Sequence, residues 1–283
     1  MTDTDSATAS IAGGDTGGPD AIFRLAVSAY SGAVLAWLAA TIGALTGRSP
    51  VGLGGTYATG FAVGVLVGLA AASVDLRLPS RLGRNWRRRL AIVLPVLPIV
   101  VVWLVPLETG VSAVSFWSVI VVFASGYALS QLAGNRYVNA VTPGEPEETW
   151  QWEPPGSVVV DLLLAGTWVL LGIGNVATRD PMQGLMSLLL AVGWVAACLV
   201  EGRWPFGPGR ERCEIQFYET GLVKRRPYTK AFVPWRDVNH VRLREGELVI
   251  DRGLRDVRFD RDELEDPEAV LEAIDRRIAS AVA

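Results

Sequence analysis

The sequence has little of what catalytic chemistry uses most: two cysteines, one histidine and two lysines in 283 residues. Cys198 and Cys213 stand fifteen residues apart, the first inside a long apolar stretch, so they offer neither a redox pair nor a metal-ligand spacing. A single imidazole, His240, cannot build a zinc site, and on a strand face shared with Arg242 and Arg244 it reads as a solvated side chain. No nucleophile elbow, zincin helix or phosphate loop occurs. These absences argue against an enzyme, and no cofactor, metal or nucleic-acid partner is expected.

Charge is scarce as well. Only 19% of the residues are charged against 50% hydrophobic, and the mean hydropathy is positive, which together mark an integral membrane protein. Six apolar stretches are long enough to span a bilayer: about 25–46, 54–74, 90–106, 111–133, 157–178 and 183–200. They pair as three hairpins with short joins near Gly47-Arg48-Ser49-Pro50, Leu107-Glu108-Thr109-Gly110 and Arg179-Asp180-Pro181. The lipid bilayer is therefore the first expected partner. Residues 1–21 hold almost nothing apolar and are expected to be a disordered tail. They lack the basic start of a signal peptide, so the first apolar stretch is expected to be retained. The remaining expected divisions are a four-span unit over 22–133, an acidic Pro-rich linker over 134–156, a two-span hairpin over 157–200 and a module over 212–283.

The arginines set the expected orientation. Arg77, Arg81, Arg84, Arg87, Arg88 and Arg89 crowd one loop, against one arginine or none in each hairpin join. Basic loops stay on the cytoplasmic side, so this loop, both termini and the C-terminal module are expected in the cytoplasm, with the chain in the cell membrane. Trp86, Trp150, Trp152 and Trp204 fall near cytoplasmic boundaries, where an aromatic belt belongs. In the linker, Trp150 and Trp152 alternate with polar neighbours and can dock on the membrane surface or on a sheet.

Within the spans, Gly60, Gly64 and Gly68 recur every four residues and leave one helix face as bare backbone, suited to an intramolecular helix contact or to a dimer face. Pro95 and Pro98 remove hydrogen bonds from the third span and kink it. Asp161 is the one ionisable residue in the span interiors, about a turn into the fifth span. It is a candidate intramembrane polar site, or else a carboxylate that reaches interfacial water or bonds a neighbouring helix.

The C-terminal stretch changes character. Glu214-Ile215-Gln216-Phe217-Tyr218 alternates with period two and stops at Glu219-Thr220-Gly221. Phe232-Val233-Pro234-Trp235 leads into a turn at Arg236-Asp237, and Val238 starts the next strand. Leu248-Val249-Ile250 and Val257-Arg258-Phe259 follow, giving four to six short strands with one buried face and Trp235 inside. Asp266 as N-cap and Pro267 at the first helical position open a terminal helix, whose stripe of Val270, Leu271, Ile274, Ile278 and Val282 is expected to close the sheet, with Glu272 and Arg276 paired on its outer face.

Glu219-Thr220-Gly221 and Val233-Pro234-Trp235-Arg236-Asp237-Val238, following a transmembrane hairpin, resemble the YcxB-like and bacterial pleckstrin-homology-like membrane proteins over roughly 157–283. The resemblance implies an α+β fold and a place at the membrane surface, and no reaction. By the same resemblance the basic hairpin Lys224, Arg225, Arg226 and Lys230 is a candidate contact for anionic lipid headgroups; the alternative is a solvated hairpin that meets an anionic leaflet without selectivity. The function read from these residues is an interaction role, with the module presented to a cytoplasmic or membrane protein partner. The second reading is a transporter or channel subunit with its pathway through the Gly-rich and Pro-kinked spans.

Overall fold

The computed structural model describes residues 20–49, 51–105, 109–178, 181–204, 213–253 and 256–282. The expected tail up to residue 19 and the joins at 107–108 and 179–180 lie outside them. The chain divides after Val141 into two compact units.

The first unit contains α1 (Ala21–Leu45), α2 (Gly52–Val74), α3 (Leu78–Gly83), α4 (Trp86–Val93), α5 (Val96–Leu104) and α6 (Thr109–Val141). Asp20 caps α1 by accepting from the Phe23 amide at 2.8 Å, and also pairs with Arg136 of α6. Gly60, Gly64 and Gly68 are buried against α1. A Cβ at Gly60 would sit 2.8 Å from the Leu35 carbonyl, and one at Gly68 2.7 Å from Ser28 Cα, so the two backbones touch because these side chains are missing. Phe23, Val27, Ala72, Ile92, Leu129 and Ala133 form one core cluster, and Ala33, Trp37, Ile99 and Val122 another.

Pro95 does more than kink its helix. It has no N–H to offer the Ala91 carbonyl, and the helix breaks into α4 and α5 at Leu94-Pro95. The Tyr30 hydroxyl donates to the Ile92 carbonyl at 2.6 Å and satisfies one acceptor beside the break. Among the described residues five helices, α1, α2 and α6 with α7 and α8 below, are long and apolar enough to cross a membrane. The third expected span is the one that is divided.

The second unit opens with β1 (Glu148–Gln151), continues through α7 (Val158–Ala177) and α8 (Pro181–Val200), and then lays down β2 (Glu214–Tyr218), β3 (Gly221–Arg225), β4 (Lys230–Pro234), β5 (His240–Leu243), β6 (Glu247–Asp251), β7 (Val257–Asp260) and α9 (Pro267–Val282). The outward side chains of α7 and α8 are apolar, as with Leu163, Leu170, Ile173 and Val192, which suits lipid and not water. Two antiparallel sheets form, in the order β1-β2-β3-β4 and β5-β6-β7.

Residues 134–156 are not a plain linker. Residues 134–141 complete α6, and β1 pairs with β2 in the register Glu148↔Phe217 and Trp150↔Ile215. The period of two carries Trp150 and Trp152 to one face, where Trp152 is buried in the β core and Trp150 packs partly on it. Of the four tryptophans expected at an interface, Trp152 and Trp204 are thus buried in protein and Trp86 is exposed. A hairpin of two membrane helices is therefore inserted between the first and second strands of one sheet.

Trp235 is buried, with its ring edge-on to Phe217 at 5.6 Å and its indole N–H donating to the Tyr218 carbonyl at 2.9 Å. A 3-10 turn over Trp235–Asp237 carries the chain from the first sheet to the second. Asp266 caps α9 by accepting from the Ala269 amide at 2.9 Å, and Val270, Ala273 and Ile274 enter the β core. Arg276 reaches Glu148 of β1 at 3.4 Å, in place of the expected pairing with Glu272.

Candidate functional site

The basic hairpin does not present its charges as one open cluster. Along β3 the side chains alternate, so Lys224 shares the inward face with Leu222 while Arg225 points the other way. The Lys224 ammonium lies 3.9 Å from the centroid of Trp152 and 4.3 Å from that of Phe259, and those rings meet edge to face at 5.7 Å. Arg226 stands 5.6 Å from the same Trp152 ring and 3.7 Å from Glu201 at the end of α8. Arg225 pairs with Glu214 at 3.2 Å across the strands, and Lys230 faces Arg225 in the register of β3 and β4. The structure thus joins Lys224 and Arg226 through Trp152 and turns Arg225 to a different face.

Burial, and then the Arg226 charge, pull the Lys224 pKa down to about 8; Glu263 and Cys213 act against that fall. The two ring faces also favour the charged form. With a folded pKa below the unfolded value of about 10.4, the unfolded chain binds more protons between roughly pH 8 and 10.4, so stability rises with pH through that window. The wild-type module is therefore expected to gain on Lys224→Met as the pH goes from about 7.5 to 10, by at most about 3 kcal/mol before the ring faces are counted. Proteolysis midpoints of the two full-length chains at both pH values measure it, and a difference independent of pH contradicts it.

Asp161 lies in the first turn of α7 and is fully buried. Its Oδ1 is 3.0 Å from an Arg203 Nη without hydrogen-bond geometry, and its Oδ2 accepts from the Trp204 indole N–H at 3.3 Å. The Arg203 guanidinium also stands 5.6 Å from the Trp194 ring. Both partners follow α8, so the carboxylate ties the exit of the second helix to the entry of the first. Gly202, at φ 69°, makes the turn there, and a Cβ on it would come 2.9 Å from Cys213 Sγ. A buried carboxylate held by a guanidinium is a fixed strut, since losing either partner strands a charge.

Sequence reasoning did not find Trp152, Phe259, Arg203 or Trp204 as parts of these arrangements. The alternation of Trp150 and Trp152 with polar neighbours was the signal for β1; nothing in the sequence announced that Arg203 would turn back to Asp161. Among the described residues no group of three or more His, Cys, Asp or Glu side chains could hold a metal ion. Comparison with family models, curated proteins and solved structures found no match to this chain.

Proposed function

We propose that this membrane protein crosses the cell membrane six times, keeps both termini in the cytoplasm, and presents a pleckstrin-homology-like, YcxB-like interaction module at the cytoplasmic surface. The sixth span in this reading is the apolar part of α4 with α5: residues 90–104 at 1.5 Å each make about 22 Å, shorter than the hydrocarbon thickness of about 30 Å, a mismatch that local thinning and snorkelling of the flanking arginines take up. The α+β character of the module is supported by its two antiparallel sheets, with α9 as the element that closes them.

The observation that carries the interaction reading is the way the module meets its hairpin. β1 enters α7 while α8 returns toward β2, and the return is fastened by Asp161 to Arg203 and by Glu201 to Arg226. Two chain crossings and the Glu201–Arg226 pair tie the sheet to the helices, while the Asp161–Arg203 pair ties the helix ends to each other, as a display platform requires. Asp161, enclosed and neutralised, is poorly suited to carry an ion. The groove of about 540 Å³ beside the α4–α5 break, lined by Val34, Trp37, Leu38, Leu94, Pro95 and Pro98, has no ionisable side chain and lends no support to a transport pathway.

A photocrosslinking residue at Tyr228, which is exposed, tests the interaction role in cells. Expected are discrete protein adducts at Tyr228 that vanish in Trp235→Ala, whose module core is emptied. Adducts to lipid only at Tyr228, with substrate-dependent flux in vesicles holding the purified chain, would favour transport.

A further inference from the structure

The turn between α2 and α4 carries the densest positive charge of the first unit, and the structure divides its arginines into two kinds. Arg81 pairs with Asp75 at 2.8 Å, and Arg89 is folded inward onto α6, donating to Ser130 at 3.3 Å and to Gln131 at 2.7 Å. Arg77, Arg84 and Arg87 are exposed, and among the described residues no carboxylate pairs with them. Arg88 is exposed, and among the described residues its guanidinium donates to the Arg81 carbonyl alone, at 2.9 Å. These charges sit on a firm base: Gly83 of α3 packs directly on the Ala133 backbone of α6, and Pro79 is buried.

Apolar side chains stand among these arginines along the chain. Val74 and Leu76 precede them, Trp86 and Leu90 stand between and after them, and all four are more than half exposed, so an apolar band flanks the arginines in sequence. Free inorganic phosphate would satisfy only the charges, and an acidic protein loop would leave the apolar band uncovered. A phosphodiester that carries acyl chains satisfies both, because the planar guanidinium matches phosphate oxygens in pairs while the indole and aliphatic side chains meet the glycerol and upper acyl region. In the module hairpin, by contrast, Arg225 and Arg226 already face Glu214 and Glu201.

We propose that the α3–α4 elbow, through Arg77, Arg84, Arg87 and Arg88, is a binding site for anionic membrane phospholipid. At about 1 kcal/mol per arginine, each is worth roughly a fivefold change in lipid affinity. The test titrates the detergent-solubilised full chain with phosphatidylglycerol and with phosphatidylcholine of the same acyl chains, and follows bound lipid by native mass spectrometry. Phosphatidylglycerol is expected to bind at least about tenfold more tightly. The triple variant Arg77→Gln, Arg84→Gln, Arg87→Gln loses that preference, whereas Arg48→Gln, an exposed arginine in a hairpin join, keeps it. Millimolar glycerol phosphate leaves the lipid in place. Equal binding of the two lipids, a preference that survives the triple variant, equal loss in Arg48→Gln, or displacement by glycerol phosphate would each overturn the proposal. Should the triple variant also lose phosphatidylcholine, and so its fold, the wild-type chain decides: the preference must shrink as salt rises from about 0.05 to about 0.5 M and still resist glycerol phosphate.

Discussion

Trp152→Ala will destabilise the β module by about 3 to 5 kcal/mol, even though Trp152 lies before the membrane hairpin and most of the module after it. The side chain is 2% exposed, meets Phe259 edge to face, and donates its indole N–H to the Arg225 carbonyl at 3.3 Å. Its removal leaves a large cavity and takes away the ring on which the Lys224 ammonium rests, so a buried charge loses a partner as well. A small domain is stable by roughly 5 to 15 kcal/mol, so the variant should populate open forms that a protease can cut. Limited proteolysis of the full-length chain measures this directly. If residues 213–282 resist cleavage as well in Trp152→Ala as in the wild type, β1 is no part of the module.

Gly64→Leu should separate α1 from α2. A Cβ at this position would run into the Ser31 carbonyl and stand 2.7 Å from Gly32 Cα, both of them backbone. A rotamer change cannot relieve such a clash; the helices must move apart and surrender the contacts that flank the stripe. A loss of about 3 kcal/mol or more is expected in the unfolding of the purified chain. Gly54→Leu, on the same helix with open space where its Cβ would stand, serves as control and should change little. A dimer face predicts something else: Gly64→Leu would then alter the oligomeric state and leave the unfolding of the single chain as it was.

The parts of this protein that follow from local rules were legible in the sequence. Hydropathy gave α1, α2, α7 and α8 to within a few residues but stopped α6 eight residues short of Val141 and ran α4 and α5 together, and alternation with turn residues gave β2, β4 to β7 and the cap of α9. What the residues did not reveal depends on contacts distant in the chain. Trp150 and Trp152 left docking on the membrane surface and docking on a sheet both open, since aromatic residues near a span end suit either; the register of β1 on β2, which starts at residue 214, decides for the sheet. Arg225 and Arg226 looked alike in a basic run, and the alternation of β3 with the return from α8 gave them Glu214 and Glu201 as separate partners. Pro95 announced a bend, but whether a proline bends or divides a helix depends on neighbours such as Tyr30, whose hydroxyl donates to the Ile92 carbonyl beside the break.

Sidedness tests the account where it is most exposed. Cys198 and Cys213 are both buried, so single cysteines introduced at Arg48, Arg84 and Tyr228, all exposed, can be labelled with an impermeant maleimide on a quiet background. If α4 and α5 together cross the bilayer, four crossings separate residue 84 from residue 228. Arg84→Cys and Tyr228→Cys should then react only after the cells are permeabilised, and Arg48→Cys in intact cells. If the divided helix does not cross, only three crossings lie between them, and Tyr228→Cys will react from the side opposite Arg84→Cys, which would contradict both the sixth span and the cytoplasmic module.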